Sequence, residues 1–140
     1  MRTSSHQSVA LVLFDLDHFK RVNDDFGHLI GDKVIQYFSS LLLKYSDADH
    51  FIARFGGEEM VMILVNVSNQ QAIEIAEAIR SELADTELKH KKDGKELGQI
   101  TVSIGISFLQ IGDTPNSFIC RADEALYKAK NNGRNQIKIN

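Results

Sequence analysis

The chain has 140 residues, 43% of them hydrophobic, with a formal net charge of −3 and one cysteine, Cys120. That length fits a single domain, 1–140, with one ordinary core, and its mixed charges lack the dense basic face of a nucleic-acid binder. The lone cysteine excludes an internal disulfide and a cysteine zinc site, no apolar stretch reaches the roughly 18 residues of a membrane helix, and the polar first eight residues lack a signal-peptide core.

These traits predict a cytoplasmic domain that itself touches neither nucleic acid nor membrane, though a longer parent protein could be membrane-anchored. Val9 to Phe14 is a continuous apolar run of strand length, as a strand buried on both faces would be. His18 to Phe26 reads as a short helix broken by Gly27 and Gly31. Asp32 then caps a second helix, with Val34, Ile35, Phe38, Leu41, Leu42 and Tyr45 at helical spacing. Phe51–Phe55 and Met60–Val65 flank Gly56-Gly57, which predicts a two-residue hairpin turn with positive φ. Ser68 and Gln71 form a capping box ahead of the stripe Ile73, Ala76, Ile79 and Leu83.

Residues 87 to 98 are charged, and Asp93-Gly94 predicts a small exposed hairpin. Ile100 to Phe108 alternates: the even positions are apolar, whereas Thr101, Ser103, Gly105 and Ser107 face the other way. Thr114-Pro115 starts a last helix with Phe118, Ile119, Ala122, Ala125, Leu126 and Ala129 inward. Gly133 ends it, and Gln136 to Ile139 can close the sheet. The order predicts an α+β fold of ferredoxin-like β-α-β-β-α-β type: a mixed, largely antiparallel central sheet flanked by helices, plus a small hairpin.

The residues suited to chemistry fall into four groups. Asp15-Leu16-Asp17 ends the first strand where the chain turns into a helix, and backbone N–H groups at such a turn bind phosphate. Asp17 could equally be a helix cap. Glu58 and Glu59 follow the glycines. Adjacent strand residues point to opposite faces, so one acid aims at a given site, and Glu58, next to the turn, is the one favoured. Asp15 and Glu58 on neighbouring strands would suffice for magnesium, which takes one or two carboxylates plus phosphate and water. Asn23 and Asp32 suit the guanine edge: a carboxylate accepts from its two adjacent N–H donors, and an amide both gives and accepts. Taken singly, both read more simply as helix caps. Lys130 and Arg134 could clamp phosphates or merely complement a helix dipole.

Five ordered blocks, with Gly133-Arg134-Asn135 after them, resemble the GGDEF family of diguanylate cyclases. They are Asp-Leu-Asp-His-Phe-Lys-Arg-Val-Asn-Asp at 15–24, Phe-Gly-His-Leu-Ile-Gly-Asp at 26–32, Arg-Phe-Gly-Gly-Glu-Glu at 54–59, Thr-Val-Ser-Ile-Gly-Ile at 101–106, and Arg-Ala-Asp-Glu-Ala-Leu-Tyr-Lys-Ala-Lys at 121–130. The resemblance implies a fold like that of nucleotidyl cyclases and polymerase palms. It also implies an enzyme that joins two GTP into cyclic di-GMP, with release of two pyrophosphates, using magnesium or manganese. Asp15, the Leu16 carbonyl and Glu58 would hold metal, and Glu58 would also activate the ribose 3′-hydroxyl. Asn23 and Asp32 would read guanine, with Phe19 also on the substrate side. Lys20, Lys130 and Arg134 would neutralise phosphates. Each domain would hold one GTP, so catalysis would need a homodimer.

Three features depart from the family pattern. Met60 stands where a Phe is usual. Asp47-Ala48-Asp49-His50 occupies the place of the Arg-x-x-Asp product-inhibition site, so feedback through it is not expected. The family's customary leader motif is not found before Ser8, so a fragment of a longer regulator, without its sensor domain, is expected. The alternative these departures leave is a weak or inactive member serving as a GTP-binding regulatory module.

Overall fold

The computed structural model describes residues 8–89 and 96–140. The first apolar run forms β1, Val9–Leu16, two residues longer than expected and buried along nearly its whole length. Helix α1, Phe19–Phe26, follows at once, then α2, His28–Lys44. Gly27 separates them with φ 89°. Gly31 does not break the chain, and Asp32 does not cap: both lie inside α2, whose N-cap is Gly27. The positive-φ backbone that stops α1 thus also starts α2, five residues earlier than the sequence suggested.

Strands β2, Phe51–Arg54, and β3, Glu59–Val65, make the expected hairpin. Its turn differs from expectation. The last paired residues are Arg54 and Met60, and neither Gly56 nor Gly57 has positive φ. A wider loop joins the strands, closed by the Phe55 and Gly56 N–H groups donating to the Glu59 carbonyl, at 2.8 and 3.3 Å. Helix α3, Asn69–Asp85, starts at the predicted Ser68–Gln71 capping box. The short strands β4, Leu88–Lys89, and β5, Glu96–Gly98, pair as the small hairpin, while its Asp93-Gly94 turn lies outside the described residues. Then come β6, Val102–Phe108, α4, Pro115–Asn131, capped by Thr114 and Ser117, and β7, Ile137–Ile139.

The five-stranded sheet runs β2-β3-β1-β6-β7, parallel only between β6 and β7. This is the expected α+β, ferredoxin-like arrangement, and β1 sits at its centre. One face of β1, Ala10, Val12, Phe14 and Leu16, joins the main core with α1, α2 and α3. There Phe14 meets Phe38 edge to face, centroids 5.6 Å apart, worth about 1 kcal/mol beyond the area buried. The other face, Leu11 and Leu13, packs on Phe118, Ala122 and Leu126 of α4. The small side chains of β6 belong to this second layer and are buried too. A Cβ on Gly105 would stand 2.3 Å from the Ala122 carbonyl oxygen, so only glycine lets α4 come this close. The sheet's geometry therefore brings the end of β1, the start of β3 and the C-terminal half of α4 to one edge.

Candidate active site at the joined ends of β1 and β3

Antiparallel register sets Asp15 opposite Glu59, and the Leu16 N–H donates to the Glu58 carbonyl at 3.3 Å. Residues directly opposite in an antiparallel pair share a face. From α4, Lys130 forms an ion pair with the Asp15 carboxylate. Asp15 is only 6% exposed. Burial pushes its carboxyl above the ordinary range, the contact with Lys130 opposes this, and the charges of Glu58 and Asp17 push it up further. Glu59 is raised as well, first by burial and then by the Asp15 charge, with Lys130 again opposing. Four carboxylates, those of Asp15, Asp17, Glu58 and Glu59, and one ammonium are thus gathered at one end of the sheet.

The sequence reading gave only one of the two hairpin acids to this site. Glu58 lies in the loop rather than the strand, so strand alternation does not separate it from Glu59, and both acids act on or with Asp15. The strand register carried the missing signal. Arg54 stiffens the loop by donating Nη2–H to the Gly57 carbonyl at 2.6 Å and Nε–H to those of Gly56 and Gly57. Neither a positive φ nor internal crowding explains the two glycines, since a Cβ on either would meet nothing closer than 3.8 Å. Glycine without an internal reason suits a backbone that a ligand must approach closely.

Asp17 does not cap α1. The N-cap is His18, at φ 55°, without a side-chain cap bond. The buried Asp17 carboxylate instead accepts from Ser103 Oγ at 2.6 Å, Thr101 Oγ1 at 2.7 Å and the Asn135 N–H at 3.0 Å. Lys20 is exposed on the first turn of α1, and Arg134 is exposed in the loop after α4. Phe19 is 7% exposed and belongs to the main core, so its ring supports α1 rather than lying open.

Asn23 of α1 lies directly over Gly31 of α2: a Cβ there would fall 1.9 Å from Asn23 Oδ1 and 3.1 Å from the Phe19 ring. Asp32, the next residue, is exposed. The amide and the carboxylate expected to read a base are therefore brought to adjoining positions on two helices, although neither is a cap.

Among the described residues no three His, Cys, Asp or Glu side chains form a cage for a metal ion. Magnesium needs less from a protein, one or two carboxylates with phosphate and water completing its shell. Asp15, Glu58 and the Leu16 carbonyl offer hard oxygens of that kind. Burial first, and then the charges of neighbouring acids, raise the Asp15 and Glu59 carboxyls, a cost that a cation would offset, and Lys130 already sets a positive charge against Asp15. The donor set fits a magnesium ion shared with a substrate phosphate.

Residues 1–136 match the model of the family described as diguanylate cyclase, GGDEF domain. The chain is 38% identical over 131 residues to diguanylate cyclase VdcA of Vibrio cholerae, covering 94% of this chain and 39% of that protein. It is 40% identical to the response regulator PleD of Caulobacter vibrioides, covering 92% of this chain and 28% of PleD. It therefore spans well under half the length of these curated relatives. The crystal structure of the coiled coil and GGDEF domain of DgcB from Caulobacter crescentus, in complex with c-di-GMP, superposes with a TM-score of 0.94 at 35% identity, over 98% of this chain and 72% of that one. Motif order, sheet register and these likenesses agree, and the chain belongs to the GGDEF domain family.

Proposed function

We propose that this domain is a diguanylate cyclase: it condenses two GTP into cyclic di-GMP and two pyrophosphates, in the cytoplasm, as a homodimer. The observation that carries this reading is the gathering of Glu58, Glu59 and Lys130 about Asp15 at the joined ends of β1 and β3. Magnesium or manganese, held by Asp15, the Leu16 carbonyl and Glu58, would polarise phosphate oxygens and lower the pKa of the attacking hydroxyl.

The chain's own groups do the rest. The glycine loop lets the triphosphate lie against backbone. Lys20, Lys130 and Arg134 offset charge that builds on the departing pyrophosphate. Lys130 would turn from Asp15 to phosphate once the carboxylate has a metal partner. Asn23 and Asp32 orient the guanine, which offers a carboxylate two donors where adenine offers one beside a repelling acceptor. Glu58 takes the proton of the ribose 3′-hydroxyl, which then attacks the α-phosphate of the GTP held by the facing protomer. One domain holds one nucleotide, so each contributes half of the reacting pair.

Incubation with GTP and magnesium, followed by chromatography, tests the reading. Cyclic di-GMP should form, and Glu58→Gln should abolish it. Equal conversion of ATP would overturn the roles of Asn23 and Asp32.

A further inference from the structure

Two non-glycine residues in succession, Arg134 at φ 64° and Asn135 at φ 49°, follow Gly133 at φ 113°. L-residues resist this left-handed backbone, and it persists only where neighbouring groups hold it in place. The holding contacts are identifiable. The buried Asp17 carboxylate accepts the Asn135 N–H at 3.0 Å, while Thr101 and Ser103 hydroxyls fix that carboxylate in turn. From α3, Arg80 Nη1–H donates to Asn135 Oδ1 at 2.8 Å. Arg80 is itself oriented by Glu77, which receives its Nε–H at 2.8 Å and its Nη2–H at 2.6 Å. The Arg134 N–H donates to the Ala129 carbonyl at 3.0 Å, and Gln136 Nε2–H to the Arg134 carbonyl at 3.0 Å.

We infer that Asp17 and Arg80 are positioning residues for Arg134: gripping Asn135 from the β1 end and from α3, they lock the 133–135 loop so that the Arg134 guanidinium is presented to phosphate. This rests on the phosphate-binding reading of Arg134. It gives Asp17 a task other than helix capping, and it gives α3, which supplies none of the other proposed site residues, a part in substrate binding. A cation on a strained loop loses little entropy on binding if the loop is already fixed, and loses much of its effect if the loop relaxes.

The test is the affinity for 3′-deoxy-GTP with magnesium, which lacks the reacting hydroxyl and so reports binding without turnover. Wild type, Arg80→Ala and Asp17→Asn are each measured with Arg134 present and with Arg134→Ala. Arg134→Ala alone should weaken binding about tenfold, the scale of one charged hydrogen bond. Arg80→Ala and Asp17→Asn should each weaken binding several-fold with Arg134 present and add nothing further in the Arg134→Ala background. Should Asp17→Asn fail to fold, Arg80→Ala, on a partly exposed helix position, decides alone. Equal losses in both backgrounds, or none in either, would overturn the positioning role and leave the phosphate role of Arg134 intact. An Arg134→Ala variant that binds like wild type would overturn both, and a wild type that binds no nucleotide would overturn the cyclase reading as well.

Discussion

Asp15 is the residue on which opposing forces are most evident: burial and neighbouring acids push its proton affinity up, and Lys130 pulls it down. Its place was legible because an apolar run ends on it. Asp17 was not, because its partners stand 84 to 118 residues away in sequence, beyond the reach of any local pattern. Met60 sits in the main core at 3% exposure, so its departure from Phe is a matter of packing. At the position of the missing inhibition site, Asp47 is exposed and the His50 Nδ1 accepts the Asp47 N–H at 3.3 Å, so an anionic product would meet an acid. Titration with cyclic di-GMP should show no binding that depends on this pair; tight binding lost in Asp47→Ala would refute that. Asp113 offers a test of stability. The Ser117 hydroxyl, then the Gln110 N–H and Arg121, hold its carboxyl below the ordinary range. A lowered folded-state pKa stabilises above the unfolded value, about 4, and that gain is lost as pH falls through the lower folded value. Asp113→Asn should therefore lower the urea midpoint at neutral pH, with the gap from wild type narrowing in acid. A gap that does not change with pH would contradict this.

Among the elements, the helices were read most accurately where capping chemistry is local. The Ser68–Gln71 box sets the start of α3, and Thr114 with Pro115 sets that of α4. The α1–α2 junction was misread because Gly31 looked like a breaker, yet its role is to make room for Asn23. The Gly56-Gly57 loop was misread for a related reason: glycine can be required by an approaching ligand as well as by φ. Gly31 gives the element-scale prediction. In Gly31→Ala the new methyl displaces the end of Asn23 and presses on the edge of the Phe19 ring at 3.1 Å rather than on backbone, so the helix pair should persist while the proposed guanine contact is lost. The KM for GTP should rise about tenfold, the scale of one or two lost hydrogen bonds, with little change in the urea midpoint. An unaltered KM would detach Asn23 from base recognition.

For the molecule as a whole, the order of elements was enough to indicate the ferredoxin-like sheet, because each apolar run had the period of its final element even where its ends differed by a few residues. The unbroken apolar run of β1 already indicated burial on both faces, but not which helices cover each: α1, α2 and α3 lie on one and α4 on the other, against the small residues of β6. That second layer is what carries Lys130 to Asp15. On the proposed reading, the site so formed would hold one half of a two-nucleotide reaction. The most direct measurement is the initial rate of cyclic di-GMP formation from GTP and magnesium over a wide range of protein concentration. The account predicts a rate per protomer that climbs with concentration, as facing domains meet, and no product at any concentration from Glu58→Gln. A rate per protomer that stays constant, or product from Glu58→Gln, would contradict it.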